Sequence, residues 1–249
     1  MKLYCYYTPS YRILIDDWFV PSVRSEYELV LKCADYQGIS VDFKEPGWFD
    51  IVGEKIDFLI QAVGDNIGKV FVFSDPDIQF FGQTKDDILS VMKGFDLLFH
   101  CDSPDGVACT GFIVCLASEK TLKLWQDVRA GIGMENKDDQ DAVNKVLINN
   151  ACGIPYLILR KFVSSPKLAP AVSSLGMNPY RIKWRLLPTR YFGGGTLTAR
   201  LWNPGCQLPV PKDIVLHHAN WTVGLENKLA QLEYVKGLVR SRQGNVNKN

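Results

Sequence analysis

The sequence predicts an α/β fold: a mixed, mainly parallel central sheet flanked by helices. Two observations carry this. Val70 to Phe73 form a short unbroken apolar run inside KVFVFSDPDIQFF, the mark of a strand buried on both faces. Ahead of it, strand-like and helix-like segments alternate in β-α-β-α-β order, which favours parallel pairing through right-handed crossovers. Directly after the apolar run come Ser74, Asp75, Pro76 and Asp77. Parallel sheets present ligand groups at the carboxyl ends of their strands. Two carboxylates one residue apart, on a turn stiffened by proline, can face a divalent cation. Asp-Pro-Asp is also ordinary turn chemistry, so the pattern alone does not decide between a site and a surface turn.

Composition narrows the class. The 249 residues suffice for one large α/β domain, and 47% hydrophobic with 12% aromatic content suits a well-cored globular chain. A formal net charge of +1 gives no reason to expect a nucleic-acid partner. Seven cysteines are scattered without a C-x-x-C pair, which reads as reduced core thiols rather than disulfides or zinc ligands. No apolar run reaches the roughly 20 residues of a membrane span, and the N-terminus lacks a signal-peptide profile. A cytoplasmic location is the expectation.

Taken in order, Leu3 to Tyr7 read as the first strand, broken by Thr8-Pro9-Ser10. A nucleotide in an α/β protein would meet this strand end, which makes Thr8 and Tyr11 candidates for base contacts; a plain strand-to-loop turn is the alternative. Val23, Tyr27, Val30, Leu31 and Ala34 follow helical spacing from Ser22 to Tyr36, with Gly38 as a stop. Ile39 to Phe43 read as the second strand. Phe49, Val52, Ile56, Leu59, Ile60 and Val63 mark a long amphipathic helix closed by Gly64-Asp65-Asn66. Beyond Asp77, Lys85 to Met92 read as a short helix, and Asp96 to Cys101 and Gly111 to Leu116 as strands. Ser118 is placed to cap a helix carrying Leu122, Leu124 and Trp125. Asp138 to Asn149 read as a helix whose early acids suit its positive end. Tyr156 to Leu159 read as a strand, and residues 161–211 as Pro-, Gly- and Ser-rich loop interrupted by pieces such as Trp184 to Leu187. Ile214 to His217 and a helix through Leu225, Leu229, Leu232 and Val239 complete one domain, residues 1–242. Residues 243–249 are expected to fray.

The order FVFSDPD, TGF, DDQDAVN, LPTRYF and HHANWTVG resembles the nucleotide-diphospho-sugar transferase family, from about Tyr4 to Lys236. These are glycosyltransferases of the Rossmann-like GT-A fold, with plant xylosyl-, arabinosyl- and galactosyltransferase relatives. Each piece is weak alone; five in one order are far stronger. The resemblance implies a Mn²⁺ or Mg²⁺ cofactor held by Asp77 directly and by Asp75 directly or through water, with Asp75 also holding the ribose. It implies His218 as the C-terminal metal ligand, with adjacent His217 as the alternative. A UDP-sugar donor and a glycan or other hydroxyl acceptor are its implied partners.

Further roles follow from the same resemblance. Asp139 and Gln140 match the pair near the anomeric centre, and Asn144 a downstream Asn, whereas Asp141 reads as a helix-start acid. Gly224 and Lys228, at a helix start, suit a diphosphate; Ser74 and Asn220 join them as nucleotide contacts. Arg190, Tyr191, Phe192, Gly193 and Gly194 are acceptor or lid candidates, because three glycines in YFGGGT suggest a mobile loop. Cys109-Thr110 departs from the family where relatives often carry Asn. Retention of configuration is the expectation by analogy. A haloacid-dehalogenase-like phosphatase would want D-x-D near the N-terminus and Thr or Val where Gln79 stands. A non-catalytic nucleotide-sugar binding module would keep Asp75, Asp77 and His218 without transfer.

Overall fold

A computed structural model describes residues 1–35, 47–134, 137–149 and 178–246. Its centre is a six-stranded sheet in the order β2-β1-β3-β6-β5-β7. The strands are β1 (Lys2–Tyr7), β2 (Glu28–Cys33), β3 (Val70–Ser74), β5 (Leu97–Cys101), β6 (Ala108–Leu116) and β7 (Trp184–Leu186). Only β6 runs against its neighbours; β1 pairs in parallel with β2 and β3, and β5 with β7. The predicted mixed, mainly parallel sheet is what the chain forms.

Alternation along the strands explains the two cores. Tyr4, Tyr6, Phe71, Phe73 and Phe99 point to one face, where they pack on α3 (Trp48–Asp65), α5 (Glu119–Gly131) and α6 (Asp139–Asn149). Leu3, Cys5, Val72, Leu98 and Phe112 point to the other, against Ile15, Phe19 and α4 (Lys85–Met92). That both faces are covered accounts for the unbroken apolar run of β3. Ser118 caps α5 through a reciprocal capping box with Thr121.

A smaller sheet, β4-β9-β8, covers the carboxyl end of the large one. It comprises β4 (Ile78–Phe80), β9 (Leu216–His218) and β8 (Tyr191–Gly193). β4 leaves the end of β3 after Asp77 and pairs with β9 so that Ile78 lies opposite His218. The Ala219 amide donates to the Asp77 carbonyl at 2.9 Å, which extends that pairing to the Asp-Pro-Asp turn. Helix α7 (Leu225–Val246) follows β9 and seats Leu232 and Val235 in the core. No helix among the described residues is long and apolar enough to cross a membrane.

Two expectations need correction. The helix expected from Ser22 onward does not form between Val23 and Asp35: the centre of that stretch is β2, an edge strand whose backbone pairs with β1 from Lys2↔Glu28 to Tyr7↔Cys33. Its five apolar residues matched a helical period by coincidence, because an edge strand that is mostly exposed shows no clean alternation. The helical crossover lies upstream, where a break was expected, as short turns Pro9–Tyr11, α1 (Arg12–Leu14), Ile15–Phe19 and α2 (Val20–Ser22). Pro9 opens that stretch at a first-turn position, where its missing N–H costs nothing. Helix α7 runs to Val246, and the Arg242 guanidinium donates to the Pro211 carbonyl at 2.9 Å. The expected strands Ile39 to Phe43 and Tyr156 to Leu159 lie outside the described residues.

Candidate active site

The end of β3 is set by its neighbours. The Asp75 amide donates to the Gly111 carbonyl of β6 at 2.8 Å, so β6 supplies the wall beside the Asp-Pro-Asp turn. Across the turn, β9 delivers His218, whose Nε2 stands 3.3 Å from Asp77 Oδ1. Asp77 Oδ2 is ion-paired with Lys228 Nζ from α7. One ligand atom each from Asp75, Asp77 and His218 lies within 4.8 Å of the others, a spacing that a single divalent cation can close. Two carboxylates and an imidazole are a fitting donor set for Mn²⁺ or Mg²⁺.

Gly111 keeps this spot open. A Cβ there would lie 2.2 Å from His218 Cε1 and 3.0 Å from Asp75 Oδ2. Only a residue without a side chain lets strand and imidazole approach so closely.

Charge is balanced by two lysines. Lys55 of α3 reaches Asp75 at 2.8 Å and Asp139 at 3.0 Å, bridging the strand end to the start of α6. Burial would make Lys55 easier to deprotonate, but the charges of Asp139 and Asp75 outweigh it and hold the ammonium form. Burial likewise opposes charge on Asp77, and Lys228 and His218 reverse this, keeping its carboxyl well below the usual range. Asp102 goes the other way: burial raises its pKa despite hydrogen bonds from Trp221, Gln140 and Asn220.

These groups line one cavity of about 440 Å³. It collects Thr8, Tyr11, Asp75, Asp77, Asp139, Gln140, His218, Asn220 and Lys228 among the residues the sequence singled out. A second hollow of about 420 Å³, between α4 and the Asp96 turn, touches none of them.

At this edge the expected acids divide their labour. Asp138 accepts from the Asp141 amide at 2.8 Å and so caps α6, leaving Asp139 to meet Lys55. Asn144 is spent on structure, exchanging bonds of 3.1 and 2.8 Å with the backbone of Ala108.

A family model, described as nucleotide-diphospho-sugar transferase, matches residues 23–232. The chain belongs to that family. The match spans the acids, the β6 glycine, the start of α6, His218 and Lys228; the cavity residues before it are Tyr6, Tyr7, Thr8 and Tyr11, at the end of β1.

Among solved structures, the transferase resembles a glycosyltransferase involved in glycosylation of the major capsid of PBCV-1. That match has 10% identity and a TM-score of 0.51, covering 94% of this chain and 100% of that one. It establishes the shared GT-A fold. The galactosyltransferase LgtC, solved with donor and acceptor sugar analogues, aligns over 97% of this chain and 96% of its own, at 10% identity and a TM-score of 0.43. GlyE of Streptococcus pneumoniae TIGR4 aligns at 11% identity and a TM-score of 0.44 over 77% of this chain and 46% of its own. No curated protein matches the sequence significantly.

Several candidate residues of the transferase sit elsewhere. Ser74 is fully buried and donates to the Asp75 carbonyl, with no place on the cavity wall. Gly224 does not line the cavity either; it turns the chain into α7 at φ 82°. Arg190 and Tyr191 both bind Asp87 of α4, at 3.1 and 2.6 Å, away from the cavity. Residues 191–196, the expected lid, are all buried. A Cβ on Gly193 would meet His100 at 2.4 Å, on Gly194 the Asn220 carbonyl at 2.6 Å, and on Gly195 the Trp221 ring at 2.0 Å. The three glycines permit this close approach. His217 stacks on Phe192 at 5.6 Å between ring centres, on the opposite side of β9 from His218.

Sequence reasoning missed Lys55, Asp102, Trp221 and Trp48. Lys55 left a signal: it interrupts the apolar stripe of α3, four residues from Ile51 and from Leu59, and a charge inside such a stripe has a buried partner. Trp221 left none, since its positive φ of 53° appears only in the folded chain.

Proposed function

We propose that the protein is a divalent-metal-dependent glycosyltransferase that moves a sugar from UDP to a hydroxyl of a glycan or glycoconjugate, with retention of configuration. One observation carries the reading: Asp75, Asp77 and His218 converge at the floor of the cavity, with the Lys228 ammonium beside them. Mn²⁺ or Mg²⁺ held by these three side chains would supply Lewis-acid stabilisation of the departing diphosphate.

Lys228 is mounted on the first turn of α7, so its ammonium and the positive helix end favour the same anion. Thr8 and Tyr11, at the end of β1, form the wall for the nucleoside, and Asn220 stands on the opposite rim, tied to Asp102 at 3.2 Å. Asp139 and Gln140 face the sugar from the start of α6. Lys55 fixes Asp139 and the Gln140 amide binds its other oxygen at 3.0 Å, so that carboxylate is oriented before any ligand arrives. Both oxygens being occupied, Asp139 suits orientation of sugar hydroxyls better than attack on carbon. An acceptor proton passing to the leaving phosphate fits this arrangement.

Incubation with a panel of sugar nucleotides and Mn²⁺, followed by chromatography of released nucleoside diphosphate, tests the proposal. Release from a UDP-sugar, abolished by EDTA and by His218→Ala but not by His217→Ala, is the expected result. Tight metal-dependent UDP binding without release from any donor would identify a binding module instead.

A further inference from the structure

We propose that His100, Cys109 and His218 form a second metal site, thiolate-containing and selective for zinc, which shares His218 with the Asp75/Asp77 set. Cys109 Sγ lies 3.9 Å from His218 Nδ1, and the His100 ring centre 5.4 Å from that of His218. One ligand atom from each of the three falls within 4.8 Å of the others. Sulfur and imidazole are the ligand chemistry of four-coordinate zinc, which here would take three protein ligands and leave the fourth position to water.

His100 is the second, independent observation. It is completely buried at the end of β5; its ring meets the Tyr191 backbone, yet neither ring nitrogen makes a hydrogen bond of normal geometry. A buried imidazole without such a bond is costly, and coordination of a cation would satisfy it. Cys109 is equally enclosed, with 4% of its surface exposed. Binding is a simple exchange: the thiol proton leaves for solvent, and the sulfur lone pair is donated to zinc.

The two sites differ in hardness. Carboxylates at Asp75 and Asp77 favour Mn²⁺ or Mg²⁺, whereas thiolate with two imidazoles favours zinc. They also compete. His218 turns Nε2 to Asp77 and Nδ1 to Cys109. A neutral imidazole carries its proton on one nitrogen and ligates through the other, so its tautomer selects one site at a time. Zinc at the thiolate site therefore excludes the cation from the carboxylate site. This competition rests on the function proposed above; the thiolate site itself does not.

Cobalt is the probe. The full chain with Cys33, Cys152 and Cys206 replaced by serine is titrated with Co²⁺ alone. A thiolate-to-cobalt charge-transfer band that saturates and is then erased by Zn²⁺ is expected. Cys109→Ser, which nearly preserves volume, should abolish the band, and His100→Gln should weaken Zn²⁺ binding at least ~10-fold. Absence of the band, or its persistence in Cys109→Ser, overturns the site. Mn²⁺ binding is then followed by electron paramagnetic resonance. Zinc loading should weaken it at least ~10-fold, and Cys109→Ser should restore it. Unchanged Mn²⁺ affinity in the zinc-loaded chain overturns the competition. If Mn²⁺ fails to bind even the metal-free chain while the cobalt band forms, the thiolate site stands and the proposed metal dependence falls.

Discussion

Lys228 Nζ is ion-paired with Asp77 Oδ2, which fastens the C-terminal helix to the turn at the end of the central strand. Both side chains are largely enclosed, at 15% and 5% exposure, so the pair cannot be treated as surface decoration. Asp77 keeps its charge in the core because Lys228 and His218 are there to meet it.

Lys228→Met should therefore destabilise the protein by about 2–3 kcal/mol at neutral pH, less than a fully buried pair because water reaches the lysine. The depressed carboxyl of Asp77 contributes stability that is complete above the unfolded carboxylate range near ~3.9 and is lost as pH falls through its lower folded value. Urea denaturation of both proteins at pH 7 and pH 3 checks this: the gap between them should narrow in acid.

Lys55→Gln removes the one cation shared by Asp75 and Asp139. Two carboxylates are then left facing each other across the strand end, and a stability loss of about 2–4 kcal/mol is expected. Saturating Mn²⁺ should recover part of that loss, more than it adds to the parent protein, because a bound cation restores charge beside Asp75. Paired thermal-shift measurements with Mn²⁺ and with EDTA read the difference.

Two histidines predict a pH dependence of the opposite origin. Burial, reinforced by the neighbouring His218, pushes His217 down to about 3, and burial holds His100 well below its ordinary value. An unfolded histidine takes its proton near ~6.5, so below that pH the unfolded chain binds more protons and stability falls. For the two residues together the loss between pH 7 and pH 5.5 is about 2–3 kcal/mol. Asp102, with its raised pKa, acts with the opposite sign toward its own lower range. Denaturant midpoints should be flat above pH 7 and decline through pH 6 and 5, and His217→Gln should flatten the decline by about half.

Gly111→Ala places a methyl carbon where His218 Cε1 now lies. The fold should tolerate this at about 1–3 kcal/mol, the usual cost of overpacking. Metal affinity should fall at least ~10-fold, since a displaced imidazole no longer completes the set with Asp75 and Asp77. Isothermal titration with Mn²⁺ measures it, and an affinity equal to the parent would mean that His218 is not a ligand.

Legibility in the sequence followed locality. The run from Val70 to Asp77 was readable because an apolar strand and its polar end sit side by side, and α4 because its period and bounds are self-contained. The edge strand β2 was not, since what makes residues 28–33 a strand is the backbone of β1, far off in sequence. Asp139 and His218 were found through resemblance to the family, but their partners Lys55 and Cys109 needed the fold. The close packing of the glycines at residues 193–195 was hidden for the same reason. A glycine kept for what presses on it looks, in one dimension, like a glycine kept for freedom.

That pressing has a consequence for assembly. His100 belongs to the large sheet, Gly193 to the small one, and Asn220 and Trp221 to the segment joining β9 to α7. Each finds its resting place only against the bare backbone of residues 193–195. The glycine run thus works as a seating gauge between the two sheets and the segment after β9. Well-formed sheets are therefore not enough for the cavity: the small one must also seat the glycines at the end of β8 against the end of β5 and the segment after β9.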